Sequence, residues 1–320
     1  MRPHMSVLAA ATATVLLLAT ACGGEDQDGA GDGELREVTA GAIPIVDVAP
    51  LHLGVEQGFF SERGIDLTIE PGSGGAAAIP GVISGNFEFA FGNVVSLMVA
   101  RDQGLPLKIF SNGVATNGEQ GADFSGVFVL DDSPVETAAD LEGLTVAANN
   151  LLNIGDTTVR ESVRQAGGDP STVEFVEMAL PDMAPALENE QVDAVWLVEP
   201  FTTMAVEAGH REIASNLVDT HPELTVATYF TSEQMIAEEP ELIDDLDAAL
   251  RESLAYAEAN PDEVRRIVST YTEIDEELLD QVRMPRWPEE VNEESVGVLA
   301  DLMVEDGLVD SEPDLTALYR

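Results

Sequence analysis

The residues best placed to do chemistry stand in one run, Leu144 to Arg160, LTVAANNLLNIGDTTVR. Thr145, Val146, Ala147 and Ala148 form an apolar strand behind the turn residue Gly143. Three asparagines and a glycine then break the pattern between Asn149 and Gly155. A helix follows, with Val159 and Val163 on one face and Arg160 and Arg164 on another. The first-turn N–H groups of a helix have no partner inside it. A polar loop that a strand delivers to such a helix start is a place to hold a small ligand. An ordinary strand–helix turn with an Asn or Asp cap has the same residues. What raises this run above that reading is recurrence, because the same arrangement returns several times along the chain.

Other chemistry-bearing groups are sparse. Gly72-Ser73-Gly74-Gly75-Ala76-Ala77 fits the G-x-G-x-x-A dinucleotide pattern, but Pro80 shortens the helix behind it and no acidic residue ends the next strand, where Phe89, Ala90 and Phe91 stand. A glycine loop that lets a small ligand approach the backbone and a turn needing positive φ both remain open for it. His52, His210 and His221 are scattered, without H-E-x-x-H or comparable metal-ligand spacing. There is no G-x-S-x-G elbow and no phosphate-binding Walker loop. The one lysine, Lys108, lies within the strand LPLKIF.

The elements that must position these loops alternate. Strands are expected over 37–46, 65–69, 87–91 and 105–110, with helices from Pro50, over 76–83 and over 94–103 between them. After a strand at 127–130 and a short helix at 137–143, the pattern resumes with strands at 173–178 and 192–198 and a helix from Asp182 that carries Pro185 in its first turn. Such alternation predicts parallel, doubly wound sheets. The run VDAVWLV, Val192 to Val198, reads as a strand buried on both faces. The order of elements from Gly64 to Gly104 is echoed from Gly168 to Gly209, which favours two similar lobes. Leu224 to Phe230 reads as the return crossing. Beyond Gln234 only helices are expected, with Leu242, Leu246, Leu250 and Leu254 on one face of the first.

The 320 residues carry 60 Asp+Glu against 14 Lys+Arg, a formal charge of -46. That field repels nucleic acid and anionic lipid heads. Residues 1–21 have the pattern of a lipoprotein signal: Arg2, an apolar stretch from Val7 to Leu18, then Leu18-Ala19-Thr20-Ala21-Cys22, which resembles the lipobox whose cysteine receives lipid. Cys22 is the only cysteine, so no internal disulfide and no thiolate metal site is expected. Residues 22–36, rich in Gly and acid, read as a flexible tether.

The chain resembles bacterial ABC-transporter substrate-binding proteins of the sulfonate, taurine and nitrate type, a group that includes the THI5-like thiamine-pyrimidine-precursor proteins. The resemblance rests on the lipobox, on AP-x-x-x-G-V-E-Q-G-F-F (Ala49 to Phe60), GIDLTI (Gly64 to Ile69) and DLEGLTVA (Asp140 to Ala147). It rests also on NIGD-x-x-V-R (Asn153 to Arg160) and VDAVWLVEPF (Val192 to Phe201). It implies an α/β fold of two lobes joined by two crossing strands, with lobe 1 over 37–128 and 228–320 and lobe 2 over 129–227. It implies a monomer, lipid-anchored through Cys22 at the extracytoplasmic face of the cell membrane, that grips a solute between its lobes and hands it to a membrane permease. Carried over by position, the resemblance places the ligand against Asp47, Ser73, Gly74, Asn93 and Asn112 in the first lobe. In the second it places Asn149, Asn153, Asp156, Glu199 and Phe201, with Tyr229 at the return crossing. No catalytic residue, metal or cofactor is expected. With Asp47 and Glu199 near these loops and basic residues scarce, a zwitterion such as taurine or an aminopyrimidine fits better than nitrate. THI5-like pyrimidine-synthesis enzymes share the fold but need a cysteine-rich motif, an active-site histidine and a lysine for pyridoxal phosphate. A non-transport sensor or adhesion lipoprotein is a third alternative.

Self-repulsion among so many carboxylates weakens as the screening length falls to about 3 Å at 1 M salt. The melting temperature, followed by circular dichroism, is therefore expected to rise steeply between dilute buffer and 1 M NaCl. The carboxylate excess fits a protein that works in high salt outside a cell, and full stability in dilute buffer would refute that expectation.

Overall fold

In the computed structural model, which describes residues 35–320, the strands divide into two five-stranded sheets. The signal, the tether up to Glu34 and Cys22 lie outside the described residues. The first sheet begins with β1 (Arg36–Ala42), α1 (Ala49–Gln57), β2 (Ile65–Pro71), α2 (Gly75–Ser84), β3 (Phe89–Asn93), α3 (Val94–Asp102) and β4 (Leu107–Ala115). The second holds β5 (Ser125–Val129), β6 (Thr145–Ala148), α4 (Ile154–Gln165), β7 (Glu174–Glu177), α5 (Leu180–Glu188), β8 (Ala194–Val198), α6 (Phe201–Glu207), β9 (Arg211–Ala214) and α7 (Asn216–Thr220). The chain then returns through β10 (Thr225–Ser232) and finishes with α8 (Glu233–Glu238), α9 (Pro240–Ala259), α10 (Pro261–Val268) and α11 (Glu293–Glu305).

The strand orders are β2-β1-β3-β10-β4 and β7-β6-β8-β5-β9, one pattern used twice. In each sheet four strands point the same way, three of them as adjacent parallel neighbours, and the fourth position is taken by the strand that has just arrived from the other lobe, antiparallel to both neighbours. The echo in the sequence is this repeated topology. Strands β5, β8 and β10 are buried along their whole length, because helices cover both faces of each sheet. The expected leucine stripe of α9, Leu242, Leu246, Leu250 and Leu254, is buried, and α9 packs against α1.

Several boundaries differ from the sequence reading. Ser125–Val129 belongs to the second sheet and Thr225–Ser232 to the first. The crossings therefore fall at 116–124 and 221–224, a few residues ahead of the expected breaks after 128 and 227. Apolar patterning marks a buried strand without saying which sheet takes it. Strand β4 runs on to Ala115 rather than stopping at Phe110, since β10 pairs with it over that length. Pro185 sits inside α5 and Pro80 inside α2, and neither ends its helix. Strand β9 was not expected; its RE-I-A composition hides an edge strand that pairs only with β5. Among the described residues, no helix is long and apolar enough to cross a membrane.

At the mouth of the first lobe two glycines let α2 meet β3. A Cβ on Gly75 would lie 2.5 Å from the Cα of Gly92, a backbone atom that cannot yield. Gly75→Ala is expected to lower stability by about 1–3 kcal/mol through that overlap, read from the urea midpoint. An unchanged midpoint would show that α2 can move off the sheet freely.

Candidate functional site

The loops that leave the carboxyl ends of six parallel strands, three from each sheet, converge on one cleft. After β1 come Ile43, Ile45 and Asp47; after β2, Gly74 and Gly75; at the end of β3, Gly92 and Asn93. The second lobe contributes Asn149 and Ile154 after β6, Leu180 after β7, and Trp196 and Val198 from β8. Such a convergence is where open α/β sheets bind ligands. The enclosed space is about 40 Å³, far below the several hundred Å³ of a ligand pocket, so the walls as they stand leave no room for a solute. Larger hollows of about 460 and 570 Å³ lie against the crossings and the 281–292 segment; the second is bordered by Ala115 at the end of β4, and neither is lined by a strand of the second sheet.

The lining is one carboxylate (Asp47), two amides (Asn93 and Asn149), two aromatic rings (Phe91 and Trp196), glycines and aliphatic groups. Among the described residues, no lysine or arginine lines it. Asp47 is 3% exposed, and its Oδ1 has no hydrogen-bond partner. Burial raises its pKa to about 8, and the charges of Asp123 and Glu199 push the same way. Its backbone is pinned, with the Trp287 indole N–H donating to the Asp47 carbonyl at 3.1 Å and the Tyr271 hydroxyl to the Ile45 carbonyl at 3.0 Å. The Tyr271 ring stacks on His52 at 3.8 Å, and burial lowers the His52 pKa to about 4.

The cleft walls touch. The Asn93 amide donates to the Asn153 Oδ1 at 2.6 Å, the Asn149 amide to the Ser73 carbonyl at 3.3 Å, and the Val46 N–H to the Glu199 carbonyl at 3.1 Å. Each of these bonds joins the two lobes.

The profile of the family described as NMT1/THI5 like matches residues 45–264, which include loops from both walls of this cleft. The chain belongs to that family. It is 24% identical over 257 residues to the formylaminopyrimidine-binding protein of Halalkalibacterium halodurans, covering 79% of this chain and 73% of that one. In fold it is similar to the alkanesulfonate-binding protein SsuA of Xanthomonas axonopodis pv. citri bound to MOPS, with TM-score 0.75 and 15% identity over 90% of this chain and 99% of the other. It is also similar to the ligand-binding component of an ABC-type import system from Staphylococcus aureus with zinc bound, with TM-score 0.76 and 12% identity over 89% and 96%. The NMT1/THI5-like chain thus has the two-lobe architecture of periplasmic binding proteins.

Of the residues expected at the site, Asp47, Gly74, Asn93 and Asn149 line the cavity. Ser73 stands at the exposed rim and offers its carbonyl to Asn149. The others are used elsewhere. Asn153 caps α4, and Asp156 closes the capping box by accepting from the N–H groups of Leu152 and Asn153 at 2.6 and 2.8 Å. Burial still raises the Asp156 pKa. Glu199 is fully buried and its carboxylate turns from the cavity to accept from the Thr203 hydroxyl at 2.8 Å and the Arg283 N–H at 3.0 Å. Asn112 lies inside β4 rather than in a loop and donates to the carbonyls of Pro288 and Glu290. Phe201 packs against the core at the start of α6. Tyr229 is fully buried edge-on to Phe89 and Phe91, at 6.1 and 5.4 Å between ring centres, so it is core and not a stacking platform.

Sequence reasoning missed the apolar half of the lining. Trp196 carried the one usable signal, a large aromatic in an otherwise aliphatic strand, two residues and thus one pleat from the strand's end. Arg160 is turned away from the cleft, donating to the Pro170 carbonyl and lying 4.9 Å above the Phe175 ring.

A carboxyl whose pKa stands higher in the folded chain costs folding nothing below its unfolded value near 4, and costs more with each pH unit up to its folded value. Asp47→Asn is therefore expected to gain stability over the parent as pH rises from 4 to 8, by at most about 1.4 kcal/mol per unit, and no further above 8. Urea titrations across this range test it, with Asp123 and Glu199 left intact as the neighbouring acids. A difference independent of pH would place the Asp47 carboxyl in water.

Proposed function

We propose that this protein is the extracytoplasmic solute-binding component of an ABC importer, held at the cell membrane by lipid on Cys22. It acts as a monomer, taking a small, flat, nitrogen-bearing solute of the aminopyrimidine class into the interlobe cleft and passing it to a permease. The observation that carries this reading is the cleft lining. One desolvated carboxylate with an unspent oxygen, two amides and two aromatic rings, with no cation beside them, suit a ring that donates N–H groups. A flat ring to set against Phe91 and Trp196, and N–H donors for Asp47, are what an aminopyrimidine supplies. A protonated ring nitrogen would draw the Asp47 carboxyl into its ionised form, since an opposite charge at contact outweighs part of the burial penalty. The similarity to a protein named for binding formylaminopyrimidine supports the same class.

A sulfonate reading keeps one supporting feature, because the first turns of α2 and α4 face the cavity through Gly75 and Ile154. Asp47 opposes it, since a sulfonate beside a buried carboxyl meets no counter-charge. The enzyme reading lacks a lysine at the cleft: the Lys108 ammonium donates to the Tyr319 carbonyl at 2.9 Å, near the other end of β4.

The test is a thermal-shift and tryptophan-fluorescence panel in high salt, using 4-aminopyrimidine and substituted aminopyrimidines, taurine, an alkanesulfonate and nitrate. Aminopyrimidines are expected to raise the melting temperature and quench Trp196, and Asp47→Asn is expected to weaken that binding at least tenfold. Stabilisation by sulfonates alone, undiminished in Asp47→Asn, would overturn the assignment.

A further inference from the structure

Helix α4 is built into the second lobe. The Asn216 amide donates to the Thr158 hydroxyl at 2.6 Å, and the Ser162 hydroxyl donates to Asp219 at 2.7 Å, both from α7. Yet both ends of α4 grip the first lobe. At its start, Asn153 is 2% exposed and uses both ends of its amide: Oδ1 accepts from the Ile154 N–H and from the Asn93 amide, and Nδ2 donates to the Ser96 hydroxyl at 2.7 Å. Asn93 and Ser96 belong to the start of α3. At its end, Arg164 pairs with Asp306 at 2.6 Å and with Glu305 at 3.0 Å, both at the end of α11, besides Glu161 on its own helix at 2.5 Å. Helix α11 packs on α3 and β10 of the first lobe.

We infer that α4 is a two-point clasp, in which Asn153 and Arg164 are positioning residues that set the balance between open and closed lobes without contacting the solute. Neither residue lines the cavity. Both bonds made by Asn153 across the cleft exist only when the lobes meet, and opening leaves a buried amide, its hydroxyl partner and Asn93 to find new partners. Two arms of different physics answer differently to the medium. The Arg164 arm is a partly exposed ion pair, which salt screens, whereas the Asn153 arm joins neutral groups. In a chain of charge -46, whose lobes repel one another in dilute buffer, the neutral arm keeps its strength in high salt while the ionic arm loses its own.

The test breaks the clasp from the first lobe, leaving the caps of α4 intact. Ser96→Ala removes the acceptor for Asn153, and Asp306→Asn weakens the partner of Arg164. Small-angle scattering of the purified protein without ligand reads lobe closure directly and does not depend on which solute is bound. The parent is expected near the ~20 Å radius of gyration of a compact chain of this length. Each variant is expected to lower the closed-to-open ratio about fivefold, giving a larger radius in the double variant. At 1 M NaCl the Asp306→Asn effect shrinks and the Ser96→Ala effect does not. Glu161→Gln, which touches Arg164 only within α4, serves as the control and leaves the curve unchanged. Circular dichroism establishes that each variant is folded, and the single variants stand in if the double one is not. Folded variants whose scattering superimposes on the parent's at both salt concentrations would overturn the clasp.

Discussion

A carboxyl group held out of water without a cation is the constraint around which the cleft is arranged. Three buried acids gather there, and two of them are satisfied. Asp123 accepts from the Thr116 hydroxyl and the Asn117 N–H, and Glu199 from Thr203 and the Arg283 N–H. Asp47 alone keeps an oxygen unspent. Burial pushes all three toward the protonated form, to about 8 for Asp47 and about 6 for Asp123. A buried polar group left unpaired costs on the order of 1–3 kcal/mol, a cost that the solute of the proposed function would remove. The same low polarity that makes the orphan costly makes a matching N–H donor bind strongly.

The topology is what brings that group to a place a solute can reach. Parallel strands point their carboxyl ends the same way, so each sheet presents its loops on one edge. Exchanging one antiparallel strand between the lobes turns the two edges toward each other. The crossings at 116–124 and 221–224 are short, and the 281–288 segment lies across them. The Asn117 amide donates to the Met284 carbonyl, and Arg283 pairs with Glu212 of the second lobe at 2.6 Å. Separate sheets with their own helices, joined by short crossings, are the layout that hinge closure requires, and in the proposed function a ligand would shift that equilibrium.

An acidic chain with few cations places those cations with economy. Arg251 meets Asp247, Glu289 and Glu290; Arg164 meets Glu161, Glu305 and Asp306; Arg266 bridges Glu56 and Glu263. These arginines join elements distant in sequence and reduce repulsion where carboxylates crowd. Planar, multiply donating guanidinium suits that task better than ammonium. The single lysine is spent on a carbonyl instead.

Local pattern alone determined the alternating strands and helices, the doubling of the lobes and the loops that bear polar residues, because periodicity and turn chemistry are properties of neighbouring residues. The boundaries that failed did so for one reason: Ser125–Val129 and the far half of β4 take their sheet and their length from partners remote in the chain. The same division runs through the site. Asp47, Gly74, Asn93 and Asn149 follow strand ends and were legible as loop residues. Whether an asparagine meets solute or protein was not, and Asn153, Asp156 and Glu199 went to caps and internal bonds that exist only once the lobes are assembled. The apolar wall of Phe91, Trp196 and Val226 was hidden because a core strand and a cleft-lining strand read alike. Only the tertiary structure decides which face of a buried strand meets helix and which meets the gap between lobes.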